Sequence, residues 1–133
     1  MMTAPIRRIL VPVDCSSCSR AALDFACRLA VALNATIDVL YVVESSGAQT
    51  AALQELREFI GTVELPGSLT LNERVEAGDP RERIVAISER DGFDLIVLGT
   101  HGRTGRSRML AGSVAESVVR TASRPVVTVR EPS

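Results

Sequence analysis

Five apolar runs with the length of β-strands alternate with segments of helical period along the chain. The runs span residues 6–13, 36–43, 69–75, 94–98 and 125–129. The first, second and fourth are almost continuously apolar, which is typical of strands covered on both faces in a parallel sheet. The third run is more polar, and we expect it to form an edge of the sheet.

Four segments between these runs carry apolar residues at helical spacing. The first has Ala22 and Ala26 on one face, and the second covers residues 50–63. The third opens with Asp79 as its N-cap, and the fourth begins near Gly112. This alternation of strands and helices predicts right-handed crossovers and an α/β fold with a doubly wound parallel sheet.

The composition narrows the class of protein. With 133 residues and a hydrophobic content of 46%, the chain can bury one core, and we expect a single domain over residues 1–133. A formal net charge of −1 gives no basic field that would attract nucleic acid or an anionic membrane. The apolar run over residues 9–13 is too short for a signal-peptide core or a membrane-spanning helix. We therefore expect a cytoplasmic protein that binds neither nucleic acid nor membrane.

The residue inventory excludes several kinds of chemistry. The chain has no lysine and a single histidine, His101, which excludes Schiff-base chemistry, a P-loop lysine and a zinc site built on several histidines. A Ser-His-Asp triad would depend on His101 alone, and the sequence has no G-x-S-x-G nucleophile motif. We predict no catalytic residue and no metal ligands supplied by the chain itself.

Two predicted strands end in residues suited to ligand binding. Asp14 follows the first strand and Gly99 follows Leu98 at the end of the fourth, and ligands of doubly wound sheets bind beyond such strand ends. From Gly99 the chain is rich in glycine up to Ser113, where a helix is expected. Glycines let a ligand approach the backbone, and the amides of a helix N-terminus favour an anion, so this segment suits a phosphate chain. The alternative is an ordinary loop followed by a Ser113 helix cap.

The glycine spacing is similar to that of a known family. Gly99, Gly102, Gly112 and Ser113 follow the pattern G-2x-G-9x-G-(S/T), the ATP-binding signature of the universal stress protein family. The likeness extends over essentially the whole chain, and the sequence is identified as a member of the ATP-binding subgroup of that family. Further matches lie at residues 9–14, 16, 21–23, 26, 78, 80, 94–97, 101–102 and 124–126.

The resemblance implies a Rossmann-like fold, with a five-stranded parallel sheet in the order 3-2-1-4-5 and helices on both faces. It also implies an adenine nucleotide lying across the ends of strands one and four. Residues 12–14 would contact adenine and ribose with help from the backbone of Val42, and residues 112–115 would hold phosphate oxygens. The implied nucleotide contacts are Pro12, Val13, Asp14, Val42, Leu98, Gly99, Gly102, Arg103, Gly112, Ser113, Val114 and Ala115.

Some of these contacts have alternatives. Asp14 is also suited to cap the first helix, a role that it would share with Ser16 and Ser17. Arg103 is expected to meet phosphate, whereas the two arginines that follow it are expected at the surface. Ala115 stands where many ATP-binding relatives have a hydroxyl residue, so we expect one phosphate contact to be lost.

The resemblance implies a nucleotide-responsive regulatory module in a stress response, with at most slow ATP hydrolysis. The expected ligand is ATP, with AMP, ADP or cyclic AMP as alternatives, and Mg²⁺ could accompany it through phosphate oxygens and water. Family members commonly pair the last strand with its copy, and the apolar run over residues 125–129 suits such a homodimer. A nucleotide-independent dimeric stress protein is one alternative function.

A second alternative is a thiol-redox protein. Cys15 and Cys18 form a C-x-x-C motif before a predicted helix, where dithiol oxidoreductases place their reactive pair. Against this function, the charge of Asp14 should raise the pKa of the neighbouring thiol. A reversible disulfide between Cys15 and Cys18 that perturbs the Asp14 loop is a related hypothesis.

Overall fold

The computed structural model describes residues 5–100 and 108–131, with the backbone alone over 108–112. Strands and helices alternate through these residues, with one additional 3-10 turn at Ser46–Ala48. The elements are β1 (Arg8–Val13), α1 (Ser17–Leu33), β2 (Thr36–Val43), α2 (Gln49–Ile60), β3 (Leu71–Ala77), α3 (Pro80–Arg90), β4 (Leu95–Thr100), α4 (Arg108–Thr121) and β5 (Val126–Arg130).

The strands form a five-stranded sheet in the order β3-β2-β1-β4-β5, and every neighbouring pair is parallel. The predicted α/β class and strand order are confirmed, and the polar third strand lies at an edge. β1 is central: it pairs with β2 from Arg8 to Val13 and with β4 at Ile9 and Leu10. The carboxyl ends of β1, β2 and β4 therefore meet at one edge of the sheet.

The strand boundaries differ from the prediction at several ends. β2 has the predicted bounds, whereas β3 continues to Ala77 and β4 to Thr100, beyond the apolar runs. Backbone pairing explains the extension, since Glu76 pairs with Val42 in the parallel ladder although its side chain is polar. The ladder of backbone hydrogen bonds determines where these strands end. The pattern of apolar side chains does not show how far this ladder extends.

Each face of the sheet carries its own hydrophobic core, because neighbouring residues of a strand point to opposite faces. The strand residues packed on α1 and α2 include Ile9, Val11, Ile37 and Val39. The strand residues packed on α3 and α4 include Leu10, Leu40, Ile96 and Leu98. Both faces are thus covered by helices, as the continuous apolar runs predict.

Helix α4 begins earlier than the sequence predicts. The expected start lies near Gly112 and Ser113, but α4 spans Arg108–Thr121. Residues 108–111 are Arg, Met, Leu and Ala, which are all strong helix formers, and the helix extends back through them. Gly112 and Ser113 therefore lie in the second turn, and the predicted helix start is wrong.

The first turn of α1 lies directly against the end of β4. A Cβ atom at Gly99 would come within 2.3 Å of the carbonyl oxygen of Cys18 and within 3.2 Å of the amide nitrogen of Ser19. A side-chain carbon cannot approach backbone atoms so closely, so only glycine fits between β4 and α1 in this arrangement. Gly99 thus sets the distance between the two elements.

We expect Gly99→Ala to lower the free energy of unfolding by about 1–3 kcal/mol, the usual cost of forcing extra volume into a packed interior. The cost arises because backbone, rather than the end of a flexible side chain, has to move. Urea denaturation followed by circular dichroism measures the change. Gly47→Ala is the matched control, because its Cβ would meet no atom within 4 Å. Equal unfolding midpoints for the two variants would contradict the packing role of Gly99.

Candidate functional site

A cavity of about 190 Å³ opens at the carboxyl ends of the central strands. It lies between the ends of β1, β2 and β4, the first turns of α1 and α3, and helix α4. This is the crevice where doubly wound sheets bind their ligands. The residues that line it are Pro12, Val13, Asp14, Cys18, Ser19, Leu40, Val42, Pro80, Ile84, Leu98, Gly99 and Val114.

Most of the predicted nucleotide contacts from the strand ends lie around this one cavity. The fold therefore brings together predicted contacts from the ends of β1, β2 and β4, with one further residue from α4. Their contact with a nucleotide stays a prediction. The predicted contacts that line the cavity are Pro12, Val13, Asp14, Val42, Leu98, Gly99 and Val114.

Five predicted contacts remain, and two of them are not among the described residues. Gly102 and Arg103 lie outside the described residues, whereas Ala115 is 2% exposed and packs in the core formed with α3 and α4, away from the cavity wall. Gly112 and Ser113 lie in the second turn of α4, where backbone N–H groups bond to carbonyls of the preceding turn. An anion at the start of this helix would meet the amides of residues 108–111 instead.

The cavity also contains five residues that the sequence analysis did not predict as contacts. Leu40 precedes Val42 by two positions on the same face of β2, so the period of the strand could have indicated it. Pro80 and Ile84 belong to α3. Their position at this cavity depends on how α3 packs across the sheet, which the local sequence does not encode. The five residues are Cys18, Ser19, Leu40, Pro80 and Ile84.

A small hydrogen-bond cluster holds Asp14 in the loop between β1 and α1. The Ser19 hydroxyl donates to Asp14 Oδ1 at 2.7 Å and accepts from the Asp14 N–H at 2.9 Å. The Ser16 N–H donates to the same Oδ1 at 3.1 Å. Ser16 is also the N-cap of α1, where its Oγ accepts from the Ser19 N–H at 3.3 Å. The N-cap role considered for Asp14, Ser16 and Ser17 thus belongs to Ser16.

The Asp14 carboxyl group is ionised at neutral pH. Partial burial raises its pKa, but the hydrogen bonds from Ser16 and Ser19 outweigh this effect and hold the pKa below its ordinary value of 3.8. The side chains of Leu40 and Ile84 supply apolar walls to the same cavity. The arrangement suits a ligand with a flat apolar part and hydroxyl groups that donate to a carboxylate.

The environment of the C-x-x-C pair suppresses thiolate formation. Burial and the negative charges of Glu55 and Asp14 raise the pKa of Cys15 to about 11. Burial also raises the pKa of Cys18, and the charge of Asp14 acts in the same direction. Neither cysteine forms a disulfide. Because reactive thiols need a lowered pKa, these surroundings argue against the thiol-redox alternative.

Among residues 5–100 and 108–131, no group of three or more His, Cys, Asp or Glu side chains is arranged to hold a metal ion. None of the helices described there has the length and apolar character needed to cross a membrane.

The sequence of this chain is similar to those of known proteins. Residues 5–130 match the model of the universal stress protein family. Universal stress protein MJ0531 of Methanocaldococcus jannaschii is 31% identical to this chain over 141 aligned residues, which cover 95% of this chain and 83% of that protein.

Solved structures show the same similarity. Universal stress protein UspA from Lactobacillus plantarum superposes with a TM-score of 0.73 at 28% identity, covering 96% of this chain and all of that one. A universal stress protein crystallised in complex with cAMP superposes with a TM-score of 0.76 at 26% identity, covering 97% of this chain and 100% of that one. On the evidence of sequence and fold together, the chain belongs to the universal stress protein family.

Proposed function

We propose that this chain binds an adenine nucleotide in the cavity at the ends of β1 and β4 and acts as a nucleotide-responsive regulatory module. The observation that carries the proposal is an ionised carboxylate, Asp14, at a cavity whose walls are otherwise mostly apolar. The relative crystallised with cAMP supports the ligand class. The glycine spacing after β4 supports ATP as the nucleotide.

The topology supports a ligand site at this edge of the sheet. The helix that follows β1, α1, packs on one face of the sheet, and the helix that follows β4, α4, packs on the other face. At neighbouring strands followed by helices on opposite faces, a crevice forms beyond the strand ends. A nucleotide enters this crevice with its base against the apolar walls and its sugar next to Asp14.

The family resemblance assigns phosphate contacts to the segment between β4 and α4. That segment carries Gly102 and Arg103, the predicted contacts outside the described residues. An arginine suits a phosphate because its guanidinium group donates two parallel hydrogen bonds. Mg²⁺ and slow ATP hydrolysis stay predictions for this site.

We further propose a homodimer formed through the β5 edge. At the β3 edge, Asn72, Glu73 and Arg74 are polar or charged, which discourages pairing with another strand. The β5 edge consists mainly of valines. The Ile96 N–H donates to the Pro125 carbonyl at 3.0 Å, so in a parallel ladder the backbone groups of Thr128 point away from β4. They are therefore available to a second copy of the strand.

We expect Val42→Trp to weaken ATP binding about tenfold or more, a change of about 1.4 kcal/mol, because the indole fills the cavity proposed for the base. Isothermal titration with ATP, AMP and cyclic AMP measures the effect. Val31→Trp is the matched control, because Val31 is 47% exposed on α1. The chain has no other tryptophan, so the emission of each indole also reports whether it is buried.

The wild-type protein provides the direct test of the nucleotide site. Denaturing freshly purified protein and identifying any released nucleotide shows what it carries from the cell. A wild-type protein that neither releases nor binds any of the three nucleotides refutes the proposal. Equal affinities in Val42→Trp and Val31→Trp would show that binding occurs elsewhere.

We expect Thr128→Pro to convert the homodimer to a monomer, because proline removes an N–H that points toward the second copy while leaving the ladder to β4 intact. Thr128→Ala keeps the N–H and is expected to remain dimeric. Sedimentation velocity at micromolar concentration distinguishes the two states. A monomeric wild-type protein, or a dimeric Thr128→Pro variant, contradicts pairing through β5.

A further inference from the structure

Ser19 is a buried polar residue on the wall of the proposed nucleotide site, and the site described above assigns it no contact with the nucleotide. It is 4% exposed, lies in the first turn of α1 and lines the cavity. Its hydroxyl donates to the Asp14 carboxylate at 2.7 Å and accepts from the Asp14 N–H at 2.9 Å. Because this pair of bonds joins Ser19 to both the backbone and the side chain of Asp14, the carboxylate is held in one orientation.

Two hydrogen bonds from the start of α1 meet at one oxygen of this carboxylate. Ser19 Oγ and the Ser16 N–H both donate to Oδ1. An ionised carboxylate only accepts hydrogen bonds, and each of its oxygens has two lone pairs. Because both lone pairs of Oδ1 are used by the protein, a ligand hydroxyl group meets the carboxylate at Oδ2. A ribose offers two neighbouring hydroxyl groups for this contact, whereas a 2′-deoxyribose offers only one of them.

The packing of α1 on β4 keeps Ser19 in place. The space next to Gly99, where a side chain would stand, is taken by the carbonyl of Cys18 and the amide of Ser19. The first turn of α1 consequently lies at a fixed distance from β4, which contributes Leu98 and Gly99 to the cavity wall. Gly99 of β4 thus packs against the first turn of α1, and Ser19 in that turn is hydrogen-bonded to Asp14.

We propose that Ser19 is a positioning residue that orients Asp14 and thereby makes the site prefer a ribonucleotide to its 2′-deoxy form. The proposal rests on the nucleotide site proposed above. Ser19 acts through Asp14 and does not itself need to touch the ligand. A role in stability alone would leave the preference between the two sugars unchanged.

The test compares the affinities of ATP and 2′-deoxy-ATP by isothermal titration. We expect the wild-type protein to bind ATP about tenfold more tightly, the effect of one hydroxyl hydrogen bond to a charged group. In Ser19→Ala the ratio should fall close to one, through loss of ATP affinity. Ser88→Ala is the matched control: Ser88 is also buried, and its hydroxyl donates to the Val85 carbonyl at 2.8 Å on α3. This variant should keep the wild-type ratio.

Two further measurements separate positioning from a loss of structure. In an Asp14→Ala background, Ser19→Ala should leave the ratio unchanged, because the group that it orients is gone. In the protein without nucleotide, the carboxyl carbon of Asp14 can be titrated by NMR, with Asp14→Asn used for assignment. Ser19→Ala should raise the pKa of Asp14, since burial persists while one bond that favours the charged form is lost.

The outcomes distinguish a failure of the positioning role of Ser19 from a failure of the nucleotide site itself. If Ser19→Ala binds ATP and keeps the wild-type ratio, the positioning role is wrong and the nucleotide site stands. If the wild-type protein binds neither nucleotide, both proposals fail. An Asp14 pKa that does not change in Ser19→Ala overturns the positioning role independently of any ligand.

Discussion

The close contact between α1 and β4 at Gly99 sets the geometry of the candidate site. With no side chain at this position, the helix backbone takes up the space that a Cβ atom would occupy. The contact brings the start of α1 to the strand ends. Ser19 is thereby within hydrogen-bonding distance of Asp14, and Cys18 lies on the cavity wall. The family signature associates Gly99 with the close approach of a ligand. In this structure, the absence of a side chain at Gly99 allows the close approach of helix α1.

The surroundings of the loop between β1 and α1 bear on two chemistries that the loop could support. Burial raises the pKa of Cys15 and Cys18, and the negative charge of the nearby Asp14 acts in the same direction on both thiols. The same charge, stabilised by hydrogen bonds from Ser16 and Ser19, provides an acceptor for hydroxyl groups. Burial and this carboxylate together thus make the loop poorly suited to thiolate chemistry, whereas the carboxylate suits it to a polar ligand.

Much of the fold could be predicted from the sequence, and the candidate site only in part. Continuous apolar runs such as β2 follow from burial on both faces, and the polar residues of β3 mark an edge. Residues at strand ends, such as Asp14, could be placed because parallel strands finish at the same edge. Ile84 could not, because its position depends on how α3 crosses the sheet. The start of α4 differs from the prediction because residues 108–111 are strong helix formers and extend the helix back beyond Gly112.

The strand order also has a consequence for synthesis of the protein. β1, β2 and β3 pair with neighbours in chain order, but the other neighbour of β1 is β4, which begins at Leu95. A nascent chain can fold its N-terminal part while one edge of β1 still lacks its partner. The cavity wall formed by Leu98 and Gly99 is then missing. On the ribosome, the pocket is completed only after β4 and the part of α4 that contributes Val114 have been translated.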